Sequence, residues 1–429
     1  MDGLVYPDRT VHTGLLEYKN VYRPVRVVSY DKESGELVLH NYMDFDDLKD
    51  YVKISYELTQ DGLVISKDIL SEFSVVPHGE GKTNLKISVP ENGKCYLKLI
   101  YHLKKELPLL DEDHILGFDE IEVSKEDTKC KLAEKWTPKT VVDSELQVNE
   151  NDTQIHIKGR EFAYTIDKRT ALFTEMKFAG REYLNHPMEL NIWRAPTDND
   201  MYIKAEWKKA HYDKAYTRAY TTEVVQGKHG VKIVSHASVV AETVQKILDV
   251  TITWKIEAAG KIDADIEATK DGEFPDLPRF GVRMFLDKKL ADIRYFGMGP
   301  QESYRDKHQA ASHGLYRANV GDLHEDYIRP QENGSHYDCE YVELNNSRYG
   351  IVTSAEKAFS FNASYYTQEE LEKKTHNYEL IESDSVVFCV DYALNGIGSN
   401  SCGPVVLEQY RFDDVLFRFQ FTLIPYVKG

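Results

Sequence analysis

Apolar residues in the first hundred positions recur at strand length, many of them with a two-residue period. Val25 and Val27, Leu37-Val38-Leu39, and Val52, Ile54, Tyr56 and Leu58 form the first three runs, and 85–89 and 96–103 extend the series. Turn formers separate the runs: Glu33-Ser34-Gly35, Asp46-Asp47, Asp61-Gly62 and Glu91-Asn92-Gly93. Short alternating strands at this spacing predict a β-sandwich of about 100 residues. A short helical turn is expected at 13–20, where Leu15, Leu16 and Tyr18 are apolar, and 120–142 reads as a strand followed by a polar linker.

A second, longer strand series starts near residue 146. It predicts strands at 155–157, 162–166, 172–178, 221–225, 231–240, 243–257, 262–268, 280–285, 293–296, 340–344, 350–354, 385–390 and 415–423. So many strands in one series suggest a large, two-layered sandwich. Two helices are expected within it. The first spans 202–218, where Ala, Trp and Tyr recur every three to four residues. The second spans 367–375, with Thr367 as N-cap and Glu370 three residues on. Between the strands and the first helix lies 191–200, Asn-Ile-Trp-Arg-Ala-Pro-Thr-Asp-Asn-Asp. Pro196 cannot donate to a sheet ladder, so pairing stops there, and Asp198, Asn199 and Asp200 favour a turn. The expectation is a rigid polar loop at a strand end, either self-bonded or offering oxygens to a hard cation or a sugar.

The 429 residues exceed one ordinary core, and 41% hydrophobic content with 28 Tyr and 17 Phe suits packed domains. A formal net charge of -18 argues against nucleic acid or an anionic membrane as partner, and no apolar run approaches the ~20 residues of a membrane span. The five cysteines, Cys95, Cys130, Cys339, Cys389 and Cys402, show no metal-ligand spacing. With no signal peptide visible, they suggest reduced thiols in the cytoplasm.

Three further loops are rich in small and polar residues: 297–306 (Gly-Met-Gly-Pro-Gln-Glu-Ser-Tyr-Arg-Asp), 327–334 (Tyr-Ile-Arg-Pro-Gln-Glu-Asn-Gly) and 396–404 (Gly-Ile-Gly-Ser-Asn-Ser-Cys-Gly-Pro). The glycines at 297 and 299 do not make a phosphate cradle, since no Lys-Ser/Thr follows. Cys402 could act as a nucleophile only beside a base, and nothing places His336 or His376 near it. Among 71 acidic residues no carboxylate pair stands out as the two catalytic groups of a glycosidase. The residues alone describe a β-rich protein whose polar, aromatic loops suit a sugar, without a self-contained catalytic machine.

Those four loops, in this order, resemble signature segments of the large bacterial β-galactosidases of glycoside hydrolase family 2. Residues 2–10, Asp-Gly-Leu-Val-Tyr-Pro-Asp-Arg-Thr, are similar to the segment that leaves the family's catalytic barrel. The resemblance covers the whole chain and implies the C-terminal part of such an enzyme, all-β in class. Residues 1–15 would be the tail of the barrel, 16–125 an immunoglobulin-like β-sandwich, 126–142 a linker, and 143–429 a β-supersandwich of the galactose mutarotase-like kind. The acid/base and nucleophile glutamates would lie on the barrel, outside this chain, so the chain by itself would carry no catalytic residue. Its part would be to complete the active-site edge for a terminal β-galactoside and to make subunit contacts in a homo-oligomer.

The family comparison implies substrate contacts at Asp198, Asn199 and Asp200, an acidic residue shortly after them, for which Glu206 is nearest, and a sugar platform at Cys402. There some members carry tryptophan, and a cysteine supplies no aromatic face. Asp2 corresponds to the sodium position, where better-known members have asparagine. The chain itself implies no cofactor; Mg2+ and Na+ are implied for the whole enzyme. The readings left open beside this one are a stand-alone carbohydrate-binding or structural module and a mutarotase-like epimerase.

Overall fold

The computed structural model describes residues 3–125, 128–137, 146–398, 401 and 403–428. The fold is all-β, with a few short helices, and the chain divides into two compact units. The first takes 1–132 together with 296–301 and 308–316, and the second takes 133–295, 302–307 and 317–429. Of the expected 126–142 linker, 126–127 and 138–142 lie outside the described residues, and 134–136 form a 3-10 turn.

In the first unit a four-stranded sheet runs in the order Leu63–Ile69, Val52–Gln60, Cys95–Leu103 and Ile115–Glu122. A three-stranded sheet runs Val25–Tyr30, Glu36–Asn41 and Glu80–Asn84. All pairings are antiparallel. Val25, Leu37 and Leu39 from one sheet and Ile54, Leu58, Leu97 and Leu99 from the other enter a single buried cluster, which makes the unit a two-layer sandwich. The helix Thr13–Val21 precedes it, with the His12 ring accepting from the Gly14 N–H. Segment 308–316 is held in this unit by charge and stacking. Glu17 accepts the Gln309 and Ala310 amides at 2.8 Å, and His313 meets Glu120 at 2.7 Å while its ring stacks on Tyr96 at 4.1 Å.

The second unit holds a five-stranded sheet, Arg181–Glu182, Leu172–Phe178, Phe162–Asp167, Gln154–Lys158 and Gln147–Glu150, and most of a much larger one of twelve strands. Nine of those follow one another as Leu184–Asn191, Arg279–Asp287, Ser385–Leu394, Tyr349–Ser364, Leu416–Val427, Ile262–Lys270, Leu248–Glu257, Gly230–Val240 and Tyr216–Gln226. Burial differs along this path for a clear reason. Leu248–Glu257 and Ile262–Lys270 alternate buried and accessible side chains, as strands with one wet face must. Arg279–Asp287 and Ser385–Leu394 are buried almost throughout, so both of their faces are covered. The charged residues on these two strands therefore sit in the interior.

The structure corrects the sequence expectations at several points. The helix expected over 202–218 is only Ile203–Lys209, followed by a 3-10 turn at Tyr212–Lys214 and then the strand Tyr216–Gln226. His211 has φ 59°, a left-handed conformation that breaks the helix. Tyr216, Thr217, Tyr220, Thr221 and Thr222 then favour a pleated surface, and pairing with Gly230–Val240 satisfies their backbone. The strand expected at 85–89 lies instead at Glu80–Asn84, because its partner Glu36–Asn41 ends opposite Asn84. The strands Leu63–Ile69 and Ser312–Asn319 were not anticipated. Leu63–Ile69 is exposed along its whole length, so no alternation marks it. The second helix is Gln368–Lys373, and Thr367 caps it by accepting the Glu370 N–H at 3.1 Å, as expected.

Candidate functional site

The polar loop begins where Leu184–Asn191 leaves the large sheet. Asn191 turns the chain, its side-chain oxygen accepting the Trp193 N–H at 2.9 Å. Arg194 then points inward and is fully buried. Its guanidinium donates to Asp200 at 2.6 and 3.2 Å, to the Gly396 carbonyl at 3.0 Å and to the Asn395 carbonyl. Asp200 also accepts the Thr197 N–H at 2.9 Å, so one carboxylate ties the loop's two ends to its cation. The Arg194 guanidinium lies 5.2 Å from the Trp207 ring centroid, and the Trp207 indole donates to the Asp276 carbonyl at 2.9 Å. The short helix after the loop is thereby anchored to it.

A second buried ion cluster supports the loop from beneath. Arg279 and Asp391 are both fully buried and meet in a bidentate pair at 2.6 and 3.1 Å. Arg279 also donates to Glu332 at 2.9 Å, and Glu332 in turn accepts the Ala195 N–H at 3.2 Å. Burial works against the Arg279 charge, but the carboxylates of Asp391 and Glu332 outweigh it and hold the guanidinium protonated well beyond its usual range. The Glu332 N–H donates to the Ala195 carbonyl at 3.0 Å, so 193–200 and 327–334 are joined by backbone as well as by charge.

The remaining two loops close the set. Asp306 accepts the Ile397 and Gly398 amides at 3.0 and 2.7 Å, and Asn199 donates to the Ile397 carbonyl at 2.9 Å. A Cβ on Gly396 would lie 2.8 Å from Asp306 Oδ2, so this approach depends on glycine. Glu302 is buried and binds Lys307 at 2.6 Å, the Gly334 N–H at 2.8 Å and the Tyr327 hydroxyl at 2.5 Å. Burial alone would raise the Glu302 carboxyl; the Lys307 ammonium and these donors overcome that and hold it below its ordinary value. Gly334 has φ 70°, and a Cβ there would meet the Leu323 carbonyl at 2.4 Å. The Asn333-Gly334 turn therefore requires its glycine. Glu302→Gln is expected to destabilise the unit by about 2–3 kcal/mol, because it removes the buried negative charge that faces the Lys307 ammonium and replaces a charged acceptor by a neutral amide. Urea denaturation measures this, and an unchanged midpoint would contradict it.

The residues singled out from sequence differ widely in their surroundings. Asp198 and Asn199 are partly accessible on the loop. The Asp198 N–H donates to Gln331 at 3.0 Å, and its carboxylate stands 4.0 Å from Arg329. Asn199 accepts from the Ser401 hydroxyl at 3.2 Å. Asp200 is only 4% exposed, with both oxygens engaged by Arg194 and Thr197, so in this structure its carboxylate serves the loop itself. Glu206 is exposed on the helix Ile203–Lys209. Asp2 and Cys402 lie outside the described residues. His336 is buried and stacked on Tyr295 at 4.6 Å, whereas His376 stands beside Glu379 at 3.5 Å. Cys389 forms no disulfide, and burial pushes its thiol up to about 12, an unreactive value. No group of three or more His, Cys, Asp or Glu able to hold a metal ion occurs among the described residues. No helix among them is long and apolar enough to cross a membrane.

Arg279, Asp391 and Lys307 carry much of this arrangement and were not legible as site residues. Each lies in an ordinary strand or loop context; Arg279 and Asp391 are 112 residues apart, and Lys307 meets Glu302 only because the intervening turn folds back on itself.

The sequence profile of the family described as "Beta galactosidase small chain" matches residues 158–423, and that of "Beta-galactosidase, domain 4" matches 37–124. A beta-galactosidase of Actinobacillus pleuropneumoniae is 44% identical over 427 residues, which are 99% of this chain and 41% of that protein. One from Staphylococcus xylosus is 31% identical over 426 residues, 99% of this chain and 42% of that protein. The chain thus spans about two-fifths of the length of these curated relatives. Among solved structures, a galactose 1-epimerase from Lactobacillus acidophilus aligns with 67% of this chain and 100% of its own at 9% identity. Its TM-score of 0.35 is too low to weigh on fold or function.

Proposed function

Because the chain belongs to the β-galactosidase small-chain family, we propose that it acts as the C-terminal part of an enzyme hydrolysing terminal β-D-galactosides such as lactose. The reaction proceeds with retention through a glycosyl-enzyme intermediate, using one carboxylate as nucleophile and one as acid/base. Both belong to a catalytic barrel outside these residues, and the whole enzyme draws on Mg2+ and Na+. The part of this chain is to present the 193–201 loop at the edge of the sugar site. There Asp198 and Asn199 hold galactose hydroxyls in one orientation, and the packed loops keep water out. Rigid orientation matters because a small misplacement of a reacting sugar costs orders of magnitude in rate.

One observation carries this reading. The 193–200, 327–334 and 396–398 segments, together with residues 302–306, are bonded to one another through buried Arg194, Arg279, Glu302 and Glu332 and through the partly buried Asp306. Such rigidity exceeds what connecting loops need, and it suits a surface that must keep its shape against a ligand.

The test uses the chain alone and the chain joined to the N-terminal portion of the Actinobacillus pleuropneumoniae relative. The chain alone is expected to give no turnover of a chromogenic β-galactoside, and the joined protein to be active. In the joined protein Asp198→Ala and Asn199→Ala are each expected to lower kcat/KM by about tenfold or more, the scale of lost orienting contacts. Activity of the isolated chain, abolished by changing one of its own carboxylates, would overturn the proposal.

A further inference from the structure

A cavity of about 640 Å³, lined by none of the residues of these loops, opens in the larger unit. Four cations line it: Lys135, Arg294, Arg317 and Lys428. They come from four separate stretches of a chain whose net charge is -18. None of the four forms an ion pair within 4 Å among the described residues. Lys428 has only neutral oxygens near its ammonium, Asn345 Oδ1 at 3.4 Å and the Asn346 carbonyl at 3.3 Å. Lys135 lies over the Trp136 ring, 4.6 Å from its centroid. The Arg294 Nε is buried with no hydrogen-bond partner. A desolvated guanidinium N–H without an acceptor is costly and rare in native structures.

Three carboxylates also face the cavity, and each is turned to a neutral partner. Glu343 accepts from the Tyr341 hydroxyl at 2.6 Å and from the Tyr426 hydroxyl. Asp322 accepts the Asn319 N–H at 3.2 Å, and Asp292 accepts the Asn319 amide at 3.4 Å. The cavity thus holds four cations and three carboxylates, and the hydrogen bonds of those carboxylates go to neutral groups rather than to the cations. Burial lowers the proton affinity of Lys135, and the charges of Arg294, Lys428 and Arg317 lower it further, while Glu343 opposes them. Trp136 forms a fixed wall, stacked on Tyr426 at 3.9 Å and donating to the Tyr341 hydroxyl at 3.2 Å.

We propose that this cavity is a binding site for a phosphate-type dianion, taken between Arg294 and Arg317 with Lys135 and Lys428 completing its charge. Guanidinium forks match the oxygen geometry of a phosphate bidentately, and ammonium groups act on it as point charges. A single carboxylate has too few oxygens to engage two guanidinium and two ammonium groups together. The volume leaves room for a small organic group on the phosphate, and ligand pockets of this size are ordinary. The dianion has two sources, free inorganic phosphate and the phosphate group of a small ester.

Calorimetric titration of the full chain separates these, using inorganic phosphate, a hexose 6-phosphate, and sodium chloride at matched ionic strength. Saturable binding of one or both phosphate probes is expected, with chloride giving none. Arg294→Gln with Arg317→Gln is expected to weaken it at least tenfold, and far-ultraviolet circular dichroism checks that this variant is folded. Tighter binding of the ester assigns the site to phosphorylated small molecules; equal binding assigns it to the free ion. Absence of saturable binding by either probe, or equal binding in the folded double variant, would overturn the site.

Discussion

Arg279→Ala is expected to lower the stability of the larger unit by about 3–5 kcal/mol, the usual cost of leaving buried charge without its partner. The deletion leaves two carboxylates facing each other. Asp391 is fully buried and Glu332 is 2% exposed, and both direct oxygens at the lost guanidinium. Asp391 cannot reach water without moving a strand that is buried on both faces. Arg279→Lys recovers only part of the loss, since one ammonium cannot bridge the two Asp391 oxygens and still reach Glu332. Replacing Arg279, Asp391 and Glu332 together by apolar residues of similar volume should cost much less than Arg279→Ala, because the paired cluster also carries a desolvation penalty. Urea denaturation of the three proteins measures the order. If the triple replacement proves as damaging as the single one, packing rather than charge holds this region.

Arg194→Met is expected to act on both stability and rate. The side chain is 0% exposed and makes bonds to Asp200 and to two carbonyls of the 395–396 segment. Methionine fills part of the space but leaves Asp200 as a buried, unpaired carboxylate and two carbonyls without donors. A loss of about 3–5 kcal/mol follows from the stranded charge. In the joined enzyme proposed above, the loosened loop should also lower kcat/KM by tenfold to a hundredfold, in line with the cost of small misplacements. These two readouts are separable at a temperature where the variant remains folded. A less stable protein with unchanged kcat/KM would show that the loop takes no part in catalysis.

Much of the local structure was legible. Val52–Gln60 and Ile262–Lys270 announce themselves by alternation, because a strand with one dry face must place an apolar residue at every second position. Thr367 was readable as a cap because its hydroxyl answers a backbone need three residues on. The helix expected through residue 218 failed for a tertiary reason. Residues 216–218 have apolar spacing that fits a helix, yet the neighbouring strand at 230–240 offers a full ladder of partners. Period alone cannot register that offer. Leu63–Ile69 escaped notice because an exposed edge strand has no dry face to create a pattern.

The amino-acid order by itself determined the all-β class, the turn at Pro196 to Asp200, the glycines at tight loops and the family resemblance of four separated segments. Each of these depends on neighbours within a few residues or on motifs read in line. Only the packing of the folded chain decided that those segments form one charge-locked assembly, that Asp200 turns inward while Asp198 and Asn199 stay accessible, and that four cations line one cavity. Arg279 finds its partners 53 and 112 residues away, and Arg194 reaches carbonyls more than 200 residues on. Electrostatic energy depends on distance in space and on burial, and both are properties of the packed sheets.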